Sequence, residues 1–514
     1  MTPTALRPHR GLKPVLAALA VAVLVAGCAS SRGLAPEGKP LDADSLQAQR
    51  SLSGAAASDA AFPAQDWWTS LGDAQLNALI AEALAGTPNL DAADARVRQA
   101  IAQAGLADAA RKPTVGAAAQ YSGVQLPETL APPPIGGSYQ GVGILNLSFS
   151  YTFDLWGGER ARWQAAVGQA RAAEVDAQAA RLTLSSGIAR TYVALAQAFA
   201  AHDVALADHE RASELLDLGR QRVAAGLDNQ LQIRQAESAV ASAQQQIQAS
   251  EHEIEVARNA LAALLGKGPD RGRDIAQPGL LAAASPNVPS VVPSELLGHR
   301  PDVVAARWRV EASQQGIKAS KAAFYPTVNL VAIAGVAAGN LGDLFSSDAL
   351  IYGGGPALTL PIFDGGRLRN QLARSDADYD LAVASYNQTL VGALREVADA
   401  LHAARSLDGQ IVSATQARDA AQDAWKIATA RYRAGLGTQL DVLAAQRPLL
   451  EADRILTVLR AQRLAASIDL DRALGGGLAL NAPGSDTASN NAAPNNAAPD
   501  SAAPNNDFAK APTP

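Results

Sequence analysis

At 514 residues the chain has room for several ordinary domains, and its composition narrows their kind. Hydrophobic residues make up 48% but aromatic ones only 4%, which favours helices packed closely through alanine over a large aromatic core. A single cysteine, Cys28, excludes an intrachain disulfide and a cysteine-based metal site, and a net charge of −6 without a basic stripe excludes a nucleic-acid binder.

The first 27 residues read as an address. Arg7, His9, Arg10 and Lys13 precede an apolar run from Val15 to Ala26, too short for a transmembrane helix and the length of a signal-peptide core. The run ends in Val25-Ala26-Gly27-Cys28, which resembles a bacterial lipobox: small residues suit the processing site and the Cys28 thiol is the acyl acceptor. Ala29, where an aspartate would retain a bacterial lipoprotein, implies by the same resemblance sorting to the outer membrane. Stable anchoring takes more than one acyl chain, each buried CH₂ contributing about 0.8 kcal/mol. Residues 28–64 read as the lipidated N-terminus and a linker, rich in Ala, Ser, Gly and Pro.

A first repeat spans 65–267. Asp66-Trp67-Trp68 opens a helical pattern with Leu71, Leu76, Leu79, Ile80 and Leu84 on one face, and a second helix runs from Pro88 to Arg111, ended by Pro113. From Pro113 the period changes: Val115, Ala117, Ala119 and Tyr121 alternate with smaller or polar residues up to a Pro/Gly-rich loop. Beyond it Leu145, Leu147, Phe149, Tyr151 and Phe153 alternate with Asn146, Ser148, Ser150, Thr152 and Asp154. An apolar and a polar face over this length fit a membrane β-strand with lipid on one side and water on the other. After Gly157-Gly158 a proline-free helix reaches Ala225 with the stripe Leu184, Ile188, Tyr192, Leu195 and Phe199, turns at Gly226, and returns from Asn229 to Leu265.

A crossing linker over 268–293 leads to a second repeat over 294–475, which restates the first. Thr87-Pro88-Asn89-Leu90 is echoed by Arg300-Pro301-Asp302-Val303, and Phe153-Asp154 by Phe363-Asp364. Arg222 to Leu231, RVAAGLDNQL, returns as Arg431 to Leu440, RYRAGLGTQL. Between Arg367 and Ala434 only the isolated Gly392 and Gly409 interrupt the pattern, each costing about 1 kcal/mol against alanine, too little to stop a helix. Such a helix is about 100 Å long at ~1.5 Å per residue. The tail, 476–514, repeats AAPNN-like units and reads as disordered.

Two strands per repeat make four, whereas a closed membrane barrel needs about eight or more. Open sheet edges are not tolerated in a bilayer, so other copies of the chain must complete the sheet; two copies supply eight strands and three supply twelve.

The arrangement resembles the TolC-like outer-membrane efflux proteins, in their lipoprotein branch serving RND-type pumps. The residues that carry the resemblance are Cys28 in its lipobox, Gly298-His299-Arg300-Pro301-Asp302-Val303, FYPTVNL from Phe324, Phe363-Asp364-Gly365-Gly366-Arg367, and RYRAGLGTQLDVLAAQ from Arg431. It implies a mixed α and β membrane protein: a homotrimer whose twelve-stranded transmembrane β-barrel, four strands per chain, continues into a long periplasmic α-helical barrel. It further implies the exit duct of a tripartite pump, partnered by a periplasmic adaptor and an inner-membrane RND-type transporter, and held in outer-membrane lipid.

In such a duct the loops 124–138 and 339–351 face the exterior, and the turns at Gly226 and Gly435 form the periplasmic entrance. Glycine there permits the positive φ of a tight helix-to-helix turn. By resemblance Leu440 and Asp441 are the candidates for the constriction and Tyr432 for a linking residue, three copies of Asp441 making an acidic ring. Some relatives carry an aspartate where this chain has Gln232, and an arginine where it has Gly437. The charged latch is therefore expected to be incomplete, with Leu440 packing and neutral hydrogen bonds holding the gate. Pro448 is expected to bend the returning helix.

No enzyme, cofactor or metal site is expected. The histidines are scattered, His202 and His209 share a helical face without a third ligand, and Gly266-Lys267-Gly268 lacks phosphate-loop spacing. The rival reading is a lipid-anchored coiled-coil adaptor or structural stalk, which has no use for the alternation from Leu145 to Phe153.

Overall fold

Two aspartates start the two longest helices. In the computed structural model, which describes residues 30–46, 57–58, 62–279, 288–289 and 298–477, the Asp154 carboxylate accepts from the backbone N–H of Glu159 and Arg160 at 3.0 and 2.7 Å. Asp364 does the same for Gly366 and Leu368 at 3.0 and 2.8 Å. Each thus satisfies amides that a helix N-terminus leaves without partners. Cys28, the leader 1–27 and the tail from residue 478 lie outside the described residues.

Along the chain follow α1 (Ala74–Ala85), α2 (Pro88–Ala109), β1 (Thr114–Gln125), β2 (Tyr139–Phe153), α3 (Gly158–Ala224) and α4 (Gln230–Leu264). The second half supplies α5 (Pro301–Ala322), β3 (Thr327–Ala338), β4 (Leu350–Thr359), α6 (Arg367–Arg433) and α7 (Gln439–Ala473). Lengths match between halves: α3 and α6 have 67 residues each, α4 and α7 have 35, and α2 and α5 have 22. At ~1.5 Å per residue the long helices run about 100 Å.

The four long strands form one antiparallel sheet in the order β1-β2-β3-β4. The helices keep that order. α2 leads into β1, β2 into α3, α5 into β3 and β4 into α6, while α2 packs on α3, α3 on α5 and α5 on α6. Toward the turns α4 packs on α3, α3 on α7 and α7 on α6. Sheet and helices therefore make one continuous wall, each strand extended by a helix.

Register divides the sheet into two faces. Leu147 lies opposite Ala117 and Ala334, Phe149 opposite Val115 and Ala332, and Tyr151 opposite Leu330, so one face is apolar throughout. On the other Ser148 faces Gly116 and Ile333, Thr152 faces Asn329, and Asn146 faces Ala118 and Gly335. Among the described residues β1 and β4 each pair on one side only, and the sheet does not close on itself. Among the described residues no helix is long and apolar enough to cross a membrane.

Small residues let α3 and α5 approach. A Cβ on Gly168 would come within 2.9 Å of the Ala312 Cβ, so alanine at 168 would push the helices apart. The main core lies near the end of α7, where Leu76, Leu79 and Ile80 of α1 meet Ile188, Tyr192 and Leu195 of α3, Leu261 of α4 and Ile468 of α7. Each such side chain contributes about 1.5–3 kcal/mol by leaving water. The buried Tyr192 hydroxyl donates to the Asp73 carboxylate at 3.0 Å and accepts from Gln75 Nε2 at 2.9 Å.

Arg300, of the motif Gly298-His299-Arg300-Pro301-Asp302-Val303, is 4% exposed. Its guanidinium donates to both oxygens of Asp302, at 3.1 and 2.7 Å, to Glu396 Oε2 at 3.0 Å and to the Ala473 carbonyl at 3.0 Å. One side chain thereby joins the start of α5 to α6 and to the end of α7. The segment 30–46, expected as part of a linker, lies instead along α6. Arg369 donates to the Ser30 carbonyl at 2.7 Å, Asp380 accepts from the amides of Glu37 and Gly38, and Asn387 bonds Leu41 and Lys39.

Candidate gate at the helical turns

Both turns are built alike. Gly226 has φ +73° and Gly435 φ +77°, the left-handed region that glycine enters without steric cost. At each, the following leucine turns its N–H back into the helix: Leu227 donates to the Arg222 carbonyl at 2.9 Å and Leu436 to the Arg431 carbonyl at 2.8 Å. The returning helices then open with matching capping boxes, Asn229 with Gln232 on α4 and Thr438 with Asp441 on α7.

This capping uses two of the candidate gate residues. Gln232 Oε1 accepts from the Asn229 amide at 3.1 Å. Asp441 Oδ2 accepts from the Thr438 amide at 2.8 Å and hydroxyl at 2.9 Å, and these bonds hold its carboxyl below its ordinary value. Asp441 nonetheless stays exposed.

The hairpins are joined by a charged latch, which corrects the expectation of an incomplete one. Asp228 Oδ2 accepts from the Tyr432 hydroxyl at 2.6 Å and from Arg222 Nε at 2.8 Å. Arg222 also donates to the Tyr432 carbonyl at 3.1 Å, and its guanidinium lies 4.5 Å from the centre of the Tyr432 ring. The acid sits in the turn itself, four residues before Gln232, where Arg222 of the same hairpin can hold it. Gln232 lies one turn into α4 and contributes its backbone carbonyl, which accepts from Gln439 Nε2 at 3.1 Å.

Tyr432 is fully buried against Leu215 and Val442, with Leu218, Trp425 and Leu443 around them. Burial, the largest influence, pushes its phenol up to about 12, and the bond to Asp228 adds to this. For Asp228 burial acts upward, but the bonds from Tyr432 and Arg222 outweigh it and hold the carboxyl below 3.8.

Leu440 is 66% exposed within one chain, and Leu227, Leu231 and Leu436 of the two turns are exposed as well. The turns expose four leucines, while Arg222 and Asp228 lie half-buried beside the buried Tyr432. A second joint lies farther from the turns, where Gln446 Nε2 donates to Asp208 Oδ1 at 2.7 Å and Arg418 Nε to Asp453 Oδ1 at 3.1 Å. Helix α7 runs through Pro448 between these contacts, and the proline leaves the Ala444 carbonyl without its helical donor.

Of Arg222, Asp228 and Tyr432, only Tyr432 is among the site residues that the sequence points to. The available signal was an arginine and an aspartate flanking a helix-ending glycine in RVAAGLD, two opposite charges that the turn must bring together.

An open two-faced sheet continuing into paired helices of this length, closed at the far end by tight turns, defines an outer-membrane channel with a periplasmic helical extension. The chain belongs to the outer membrane efflux protein family, whose sequence profile matches residues 79–267 and 292–476. It is 40% identical over 367 residues to the fusaric acid resistance protein FusA of Burkholderia cepacia, covering 70% of this chain and 69% of that one. To the multidrug resistance outer membrane protein MdtP of Escherichia coli it is 31% identical over 431 residues, 81% of this chain and 87% of that protein. Among solved structures, the outer membrane protein VceC of Vibrio cholerae superposes with a TM-score of 0.76 at 39% identity, over 81% of this chain and 100% of that one. The outer-membrane channel OprN gives 0.77 at 28% identity, over 88% and 98%. The chain is an efflux channel of the outer membrane, and these relatives are transport proteins; a coiled-coil stalk without a channel is not what they are.

Proposed function

We propose that this chain is the passive exit duct of a tripartite efflux assembly. Three copies join β4 of one to β1 of the next in a twelve-stranded barrel, and the helical walls below join likewise. The observation that carries this reading is the sheet: one apolar face, one face that carries the polar residues, and two unpaired edges, each strand prolonged by a helix. Acyl chains on Cys28 add a lipid anchor beside the barrel.

The periplasmic end is a gate. Within each protomer the latch of Arg222, Asp228 and Tyr432 holds the two hairpins together; across protomers Leu440 forms an apolar constriction and Asp441, whose capping bonds fall on Oδ2, presents an acidic ring. The exposed leucines around Gly226 and Gly435 offer a periplasmic adaptor an apolar docking surface, and an inner-membrane transporter of the RND type supplies the energy. Relatives named for fusaric acid, multidrug resistance and pyoverdine export support small organic molecules as cargo. The two halves, 65–267 and 294–475, are repeats that each contribute one long hairpin to the tunnel.

The test is conductance of the purified chain in planar bilayers, with its mass in detergent. A trimer forming closed or rarely open channels is expected. A monomer without conductance overturns the reading, and so does a Cys28→Ser chain that stays soluble without detergent.

A further inference from the structure

By helical register a carboxylate without a hydrogen-bond partner lies on α6 between the residues that hold the segment 30–46. Positions 369, 376, 380 and 387 of α6 lie on one helical face, and three of them hold the strap: Arg369 through the Ser30 and Arg32 carbonyls at 2.7 and 3.3 Å, Asp380 through the Glu37 and Gly38 amides at 2.9 and 2.6 Å, Asn387 through Leu41 and Lys39 at 2.8 and 3.0 Å. Asp376, the fourth, is 5% exposed, and neither of its carboxylate oxygens has a hydrogen-bond partner. The strap residues between Arg32 and Glu37 do not help: Leu34 turns its amide back to Ser31, and Pro36 has none. The nearby hydroxyls of Ser320 and Ser375 bond each other at 2.7 Å.

An ionised carboxylate buried without partners is costly, and protonation removes most of that cost. Among the described residues Asp376 caps no helix and makes no hydrogen bond to another element. We propose that Asp376 makes docking of the strap on α6 depend on pH, the strap closing over the protonated acid and loosening when the acid ionises.

The charges around it set the response. Burial is the largest influence and holds the Asp376 carboxyl above its ordinary value; Lys321, in the last turn of α5, opposes this, and Asp380 adds to it. Charged side chains of the strap itself are Arg32, Glu37 and Lys39, and on α6 Arg369 is engaged with strap carbonyls. Because the docked state binds the proton more tightly than the undocked one, docking is strongest at pH below 3.8 as far as Asp376 is concerned, and weakens as pH rises through the docked value. The limit for one proton is about tenfold per pH unit. Since the strap starts two residues after Cys28, its slack sets the reach of the N-terminus from α6.

Hydrogen exchange of the full chain in detergent, followed by mass spectrometry over residues 30–46 and corrected for intrinsic rates, tests this independently of acylation and of channel activity. Protection at Glu37, Gly38 and Leu41 is expected to fall as pH is raised from 3.8 through the higher docked value. In Asp376→Asn it should stay level at the value that the native chain shows with the acid protonated. A native-like slope in Asp376→Asn overturns the proposal. Lys321→Gln, distant from the strap's hydrogen bonds, is expected to move the transition to higher pH, and an unmoved transition likewise overturns it.

Discussion

The Tyr432 hydroxyl lies 2.6 Å from Asp228 Oδ2, a contact between residues 204 apart in sequence that ties one helical hairpin to the other. Asp228 is held in turn by Arg222 of its own hairpin, so the acid is positioned before the tyrosine reaches it. Separating the hairpins breaks the tyrosine bond and leaves the Arg222 pair intact.

Tyr432→Phe removes only that bond while keeping the buried ring. A hydrogen bond to a charged partner contributes about 1.5–3 kcal/mol. The closed state should lose about ten- to a hundredfold against the open one, at about 1.4 kcal/mol per factor of ten. Single-channel recording reads this directly; unchanged open probability would falsify the latch.

The pH dependence of that latch follows from its two ionisable ends. Asp228 has a lowered pKa when latched, so its contribution is complete above 3.8 and is lost as pH falls through the lower latched value. Tyr432 is raised to about 12, so its contribution is complete below 10.0 and is lost as pH rises through about 12. Between pH 5 and pH 9 the open probability should therefore be flat, as recordings at stepped pH will reveal; a midpoint near neutrality would assign the latch to other groups.

Asp441 has a capping duty and, by proposal, a charge duty. Asp441→Asn keeps an acceptor for the Thr438 amide and removes the charge. Reversal potentials in a salt gradient should move toward anions in this variant, with the helical turns still protected from proteolysis. An unaltered reversal potential would confine Asp441 to capping.

Arg300→Ala leaves Asp302, Glu396 and the Ala473 carbonyl without their shared donor. Asp302 and Glu396 are partly exposed and Glu396 keeps Arg472 at 3.4 Å, so the loss is that of charge-assisted hydrogen bonds, about 1.5–3 kcal/mol each. A clear fall in the urea midpoint is expected, with Arg300→Lys intermediate because one ammonium does not reproduce the guanidinium fork.

Much of the wall was legible in the sequence because it depends on local rules. Strict alternation from Leu145 to Phe153 requires a two-faced strand, the absence of proline between Arg367 and Ala434 allows one helix, and Gly226 and Gly435 mark where the chain can turn. Asp154 and Asp364 were visible as repeated landmarks, although their capping role needed the fold. Pairings across the hairpins were not legible. Gln232 and Asp228 differ by one helical turn, and which of them meets Tyr432 depends on how two 35-residue helices pack against their long partners. The same holds for Arg300, whose partners lie 96 and 173 residues away, and for the strap, whose polar contacts with α6 span more than 330. The sequence by itself determined the elements, since period and breakers act within a few residues; only the tertiary structure decided the joints, since these depend on side chains brought together by packing.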